Sequence, residues 1–178
     1  MNAKLQMDCA RCCGLCCVVP PFDADQGFGF DKSAHTACRN LTRDFGCSIH
    51  NELAIRGFPA CAAFDCYGAG SWITQTLFNG ASWQSSPQIA QRMFELYPRY
   101  RALHELMWLL DLAIGQVTRT DAEPLLCCLH DIEALCEGGT GLVERLDVNA
   151  LRLRVRATLR GIASEFIETQ GVGTSHRD

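Results

Sequence analysis

Five thiols, Cys9, Cys12, Cys13, Cys16 and Cys17, lie within the nine residues of "CARCCGLCC". Cys38, Cys47, Cys61 and Cys66 follow, so nine of the 12 cysteines precede residue 67. Thiolates are soft anionic ligands, and convergent sets of four hold zinc or an iron–sulfur cluster. C-x-x-C is the shortest spacing by which one turn presents two sulfurs to one ion. Cys9 and Cys12 make such a pair, and so do Cys13 and Cys16. Cys16 and Cys17 are adjacent, so their Cβ vectors diverge; either they reach different sites, or one ligates while the other packs. His50, three residues after Cys47, forms a C-x-x-H pair able to supply an imidazole, and His35 stands three residues before Cys38. A closed site needs four ligands, and this segment offers at least twice that.

The ordered blocks "CARCCGLCC", "TACRNL", "CSIH" and "RGFPACAAFDC" resemble the bacterial CxxCxxCC, or YkgJ-like, family, described as zinc- or iron-chelating proteins with eight clustered cysteines. The resemblance spans about residues 9–66. Carried over position by position, it implies the metal ligands Cys9, Cys12, Cys16, Cys17, Cys38, Cys47, Cys61 and Cys66. Cys13 has no counterpart and is read as an extra thiol, packed or exposed. Three residues rather than two separate Cys12 from Cys16, and the usual R-P-x-x-C appears as "GFPAC". Relatives in that family often carry tyrosine where His50 stands, which places His50 on the surface or behind the ligands. The stretch through "FDCYGAG" and "LHELMWLL" also resembles the N-terminal region of some bacterial pentapeptide-repeat proteins. No pentapeptide repeat follows, so no function of such repeats is carried over.

The resemblance implies metal binding and supplies no reaction. Eight thiolates suit two four-coordinate zinc ions, or an iron–sulfur cluster with a second site. Either choice leaves negative charge, for which Arg11, Arg39, Arg43 and Arg56 are candidate partners; taken singly, each reads as ordinary surface charge. The expectation is therefore a cytoplasmic, cysteine-rich metal-binding protein. One alternative is an iron-dependent redox enzyme or electron-transfer protein. Another is an adaptor with structural zinc and a helical bundle that binds a protein partner. No catalytic residue is assigned, because the phosphate-binding, dinucleotide, nucleophile-elbow and H-E-x-x-H motifs are all absent from the sequence.

Charge and hydropathy narrow the partners. A net charge of −4 and a pI near 5.7 argue against nucleic acid. No run of 18 uncharged apolar residues is present to cross a membrane, and "MNAKLQMDCARCC" lacks the apolar region of a secretory signal. The expected compartment is the cytoplasm, where thiols stay reduced and dense cysteines bind metal rather than pair as disulfides.

The elements that must position these thiols fall into three segments. Residues 1–70 are rich in breakers and short of periodicity, too poor for an ordinary core, so they read as an irregular metal-stapled lobe. Residues 71–86 read as a connector, with a short strand or hairpin at "SWITQTLF". Residues 87–178 read as a small helical bundle on which the lobe packs, and the fold class is mostly α. Ile89, Met93, Leu96, Tyr100, Leu103, Met107, Leu110 and Ile114 recur at helical spacing, with Ser86 as cap and Pro98 as a kink or division. A second helix is expected over about 122–136, capped by Asp121 and stopped by "EGGTG". A third is expected over about 142–169, through Leu151, Val155, Leu159, Ile162 and Phe166, with a break near "LDVN". Cys127, Cys128 and Cys136 are read as core residues of that bundle, and His104 as structural. His130, Asp131 and Glu133 show no partner pattern. Arg152, Arg156 and Arg160 form a basic stripe, read as a solvated face or a docking surface for an acidic partner.

Overall fold

Glycine, proline and cysteine interrupt the first third of the chain too often for a long helix, so its backbone turns in short steps. The computed structural model describes residues 3–171, and the side chains of 4–162. Single 3-10 turns at Ala3–Leu5, Cys9–Arg11, Ala24–Gln26 and His50–Glu52 alternate with α1 (Leu15–Val18) and α2 (Pro59–Ala63). Two isolated antiparallel bridges, Phe22 with Lys32 and Leu41 with Cys47, close the loops between them. Gly14 must be glycine. It enters α1 in the left-handed region at φ +70°, and a Cβ there would lie 2.7 Å from Leu41 Cδ1.

Residues 71–77 are helical, correcting the expected strand or hairpin. α3 (Ala69–Trp72) runs directly into a π-helical turn, Ile73–Leu77, closed by the Phe78 N–H on the Ile73 carbonyl at 3.1 Å. The β-branched and aromatic residues of "SWITQTLF" favour a strand locally, but burying Ile73 and Thr74 on one side of a helical turn overrides that preference.

α4 (Pro87–Ile114) starts as its sequence predicts, with Ser86 Oγ accepting the Ile89 N–H at 3.2 Å and proline in the first turn. Pro98 does not divide it; one helix runs through. Pro98 faces solvent, where water can satisfy the carbonyl left without a donor. Met93, Leu96, Tyr100, Leu103, Met107 and Leu110 of the predicted stripe are buried, while Ile89 and Ile114 at its ends are half-buried.

α5 (Glu123–Glu137) ends at Gly138 as expected, but Asp121 is not its cap. Ala122 occupies the cap position, and the Asp121 carboxylate accepts the Thr118 hydroxyl at 2.7 Å. The third predicted helix is two: α6 (Thr140–Arg145) and α7 (Val148–Gly171), parted at Leu146–Asp147. There the Asp147 carboxylate accepts the N–H groups of Asn149 and Ala150, both at 3.0 Å, which starts α7. In α7, Leu151 and Val155 are buried and Leu159 and Ile162 half-buried. Phe166 lies outside the residues whose side chains are described.

Two compact units result, one of Asn2–Glu105 and one from Leu106 onward, with α4 passing from the first into the second. The cysteine-rich segment does not lack a core. Leu15, Val18, Phe22, Phe58 and Ile73 are buried in the first unit together with Met93, Leu96, Tyr97, Tyr100 and Leu103 from the first part of α4. Each such side chain contributes roughly 1.5–3 kcal/mol on full burial. His35 stacks on Phe94 at 5.1 Å between ring centroids, and Arg101 Nε donates to the Asp65 carbonyl at 3.3 Å. In the second unit the buried side chains include Leu110, Leu125, Leu129, Ile132, Val143, Leu151 and Val155.

Candidate metal centre

By their electrostatic neighbours, eight thiols of the first unit sort into two groups that meet at Cys16 and Cys17 of α1. Residues one apart on a helix point about 100° apart. Leu15 and Val18 turn into the core, so Cys16 and Cys17 emerge half-buried on different flanks, their sulfurs 4.0 Å apart.

Cys9, Cys12, Cys16 and Cys66 form the first group. The 3-10 turn Cys9–Arg11 brings Cys12 back over Cys9 through the Cys12 N–H on the Cys9 carbonyl at 3.3 Å. Cys12 Sγ then accepts the backbone N–H groups of Leu15 and Gly14. Cys66 arrives from the far end of the lobe, just before α3, and α3 presents Gly70 to it. A Cβ on Gly70 would sit 2.6 Å from Cys12 Sγ and 3.9 Å from Cys66 Sγ, so the missing methyl makes room for both sulfurs. Burial pushes the Cys12 thiol up to about 12, with Cys13 and Cys66 adding to it against the two backbone donors. Cys9 is raised by burial first and then by Cys66, with Cys17 a smaller contributor. Cys16 is raised well above the usual range by its hydrogen bond to Cys17, then by burial and by Cys17, Cys12 and Cys66.

Cys17, Cys38, Cys47 and Cys61 form the second group. The Cys38 N–H donates to the Cys17 carbonyl at 2.9 Å, which docks the 38–48 loop on α1. The Leu41–Cys47 bridge closes that loop and returns Cys47 towards Cys38. Backbone N–H groups point at sulfur here too, from Asn40 to Cys38 at 3.4 Å and from Ile49 to Cys47. Cys61 stands in α2, which Pro59 opens. Burial pushes its thiol up to about 11, with Cys17, Cys38 and Cys47 adding to the effect. Burial also raises Cys38 and Cys47, each with Cys17 as a neighbour. Cys17 goes the other way. It is lowered by the Cys16 S–H that donates to it, against burial, with help from Lys32.

Lys32 is the cation that the sequence did not single out. It is 8% exposed, donates to the carbonyls of Pro20 (2.6 Å), Ser33 (3.2 Å) and Val18 (3.4 Å), and lies 4.5 Å above the Phe22 ring. Its three N–H bonds are taken up by oxygen, so it acts on the Cys17 and Cys38 sulfurs as a point charge. A lysine between Asp31 and Ser33 carries no signal of burial. Of the four arginines considered for this role, Arg39 packs over the Phe30 ring at 3.8 Å, Arg56 pairs with Glu52 on the surface, and Arg11 and Arg43 are exposed.

Cys13 neighbours Cys12, but its side chain turns into the apolar core. It is 2% exposed, its S–H donates to Met93 Sδ at 3.8 Å, its N–H reaches Thr74 Oγ1, and its carbonyl accepts the Trp83 indole N–H at 2.9 Å. His50 and His35 are exposed. His104 is a core residue at 1% exposure, donating Nδ1–H to the Tyr67 carbonyl at 2.7 Å; burial lowers its imidazole to about 4 despite that bond. In the second unit Cys128 and Cys136 are buried as expected, whereas Cys127 is exposed. Asp131 finds a partner that its sequence position did not suggest, Arg154, at 2.8 Å. Arg156 and Arg160 are exposed and Arg152 is half-buried.

The donor set fits a metal in its chemistry: eight thiols in two fours, backbone donors aimed at three of the sulfurs, and a glycine where a Cβ would intrude. Among the described residues, no three His, Cys, Asp or Glu side chains are arranged to hold one ion as they stand. All 12 cysteines are free thiols. Strained backbone borders the groups. Tyr67 follows Cys66 at φ +52°, Phe45 precedes Cys47 by two residues at φ +66°, and His35 precedes Cys38 by three at φ +61°.

No helix among the described residues is long and apolar enough to cross a membrane. No family model matches the chain, and no solved structure matches it. Over 171 residues the chain is 43% identical to "Uncharacterized protein YybG" of Bacillus subtilis (strain 168), an alignment covering 96% of this chain. The chain spans 61% of the length of that curated relative.

Proposed function

We propose that this chain is a metal-binding protein with two four-thiolate sites, Cys9, Cys12, Cys16 and Cys66 in one and Cys17, Cys38, Cys47 and Cys61 in the other. One observation carries the reading: Cys16 neighbours Cys12 and Cys66, and Cys61 neighbours Cys17, Cys38 and Cys47, while Cys13 is buried in the apolar core. Six of the thiols, Cys9, Cys12, Cys16, Cys38, Cys47 and Cys61, are raised and resist ionisation until a cation compensates them, and a metal ion would be that cation. Loading needs rotation about the single χ1 of each cysteine to bring the sulfurs inward. Zinc or an iron–sulfur centre satisfies four thiolates, and either would staple the lobe. The resemblance to the CxxCxxCC family points the same way, and free thiols fit a reducing compartment such as the cytoplasm.

Elemental analysis of anaerobically purified protein tests this. Near two equivalents of zinc with no visible colour, or iron with absorbance near 400 nm, supports the reading. Substoichiometric metal, together with a near-UV spectrum and melting curve that a chelator leaves unchanged, overturns it. The adaptor reading has one observation in its favour: Leu153 is 67% exposed and Leu142 45% exposed on the second unit. A colourless protein whose metal release leaves partner capture by the isolated full chain intact favours it over redox chemistry.

A further inference from the structure

Tyr97 carries a hydroxyl that finds no hydrogen-bond partner in the folded chain. The residue is 3% exposed on α4, and its Oη is shut off from solvent with no donor or acceptor in reach. Leaving such a group unpaired is unfavourable by about 1–3 kcal/mol. On one face of α4, Tyr97 stands between Met93, which accepts the Cys13 S–H at 3.8 Å, and Arg101, which donates to the Asp65 carbonyl at 3.3 Å; this sets it between the Cys12–Cys16 turn and Cys66, whose thiols act on it electrostatically from beyond hydrogen-bond reach. A neutral thiol is a weak acceptor, whereas a thiolate accepts an O–H strongly. Metal loading converts the first into the second, because bound thiols release their protons to solvent.

We propose that the Tyr97 hydroxyl donates a hydrogen bond to a metal-bound thiolate of the Cys9, Cys12, Cys16 and Cys66 group, making it a positioning residue for that site alone. The inference rests on the metal-binding reading above. Two features make the first group the target. Gly70 leaves the Cys12 and Cys66 sulfurs room to move. Lys32, already saturated by carbonyls, serves the other group as a charge and not as a donor. The two sites are thus tuned by different means, a directed O–H for one and a buried ammonium for the other. An O–H···S bond draws electron density from sulfur, so it raises the energy of sulfur-to-metal charge transfer, and it stabilises the thiolate against reprotonation, which favours the loaded form.

The test is a Co²⁺ titration of the metal-free full chain and of Tyr97→Phe, followed by Zn²⁺ competition. In Tyr97→Phe one of the two equivalents should bind roughly 10- to 100-fold more weakly, and its charge-transfer band should move to longer wavelength. The other equivalent should be unchanged, and the metal-free variant should melt no lower than the parent, because an orphaned hydroxyl has been removed. A variant whose two equivalents and bands match the parent overturns the role of Tyr97 while the metal reading stands. A parent chain with no thiolate-to-cobalt band overturns both. If the variant does not fold, the parent alone decides: the Tyr97 Cζ resonance should move on Cd²⁺ loading, and a resonance that stays put overturns the proposal.

Discussion

Replacing Gly70 by alanine tests the first thiol group through a single methyl. The new Cβ would lie 2.6 Å from Cys12 Sγ, closer than carbon and sulfur approach without displacement, and 3.9 Å from Cys66 Sγ. In the metal-free chain two effects oppose each other. Overpacking costs about 1–3 kcal/mol, and replacing a helical glycine returns up to about 1 kcal/mol, leaving a net loss of roughly 0–2 kcal/mol. On the metal-binding reading, the displaced sulfur is a ligand in the loaded chain. A structural zinc site contributes about 10–16 kcal/mol, so one ligand in four accounts for roughly 3 kcal/mol, or about a hundredfold in affinity. The assay is chelator competition for Zn²⁺ alongside thermal melts with and without metal. The predicted signature is a small change without metal and a large one with it, confined to one of two equivalents. Gly161→Ala is the control: a Cβ there meets nothing within 4 Å, so it should stabilise α7 by up to about 1 kcal/mol and leave metal affinity alone. A Gly70→Ala protein with parental zinc affinity would falsify the placement of Cys12 in the site.

Three further outcomes are expected of the folded chain. His104 titrates near 4 in the folded chain against an ordinary value of 6.5, so the unfolded chain binds more protons between those limits; stability should be intact above pH 6.5 and fall by roughly 3 kcal/mol as pH drops to about 4, a loss absent from His104→Gln in denaturant melts. Cys13→Ala should keep the full metal stoichiometry while losing about 1 kcal/mol of stability, since its sulfur only packs; loss of an equivalent would make it a ligand. Asp131→Ala should change the melting of the chain by less than about 1 kcal/mol, because both partners of its pair with Arg154 are half-exposed; a larger drop in urea denaturation would refute that.

What could be read from the sequence follows the range of the physical signal. The α4 stripe was legible because a 3.6-residue period repeats over eight positions, and Ser86 capped it as a serine before proline does. The division of α6 from α7 was legible because Asp147 is a strong cap. Asp121 misled for the same reason: an acidic residue near a helix start is a good cap, but here Thr118 holds its carboxylate. "SWITQTLF" misled because β-branched residues report local preference, and the burial of Ile73 outweighed it. The thiols were visible as a set. Their division was only half visible, since the divergence of Cys16 from Cys17 is local geometry, whereas the pairing of Cys66 with Cys12 depends on a fold that brings α3 back to the start of the chain. Lys32 and Tyr97 were not legible, because burial of a polar residue leaves no mark in its neighbours.

The placement of the two groups along the chain sets an order of events during synthesis. In the proposed grouping Cys66 joins Cys9, Cys12 and Cys16, while Cys17, Cys38, Cys47 and Cys61 all lie between them in the chain. The second group is therefore nested inside the loop that the first one closes. As the chain leaves the ribosome, the inner four thiols are complete before the outer four, and Cys9, Cys12 and Cys16 wait without their partner through the whole interval. The stretch that emerges first is finished last. On the two-site reading, those early thiols stay open to oxidants and competing metals until α3 seats Cys66 beside Gly70, so the newborn chain is more vulnerable than the mature one.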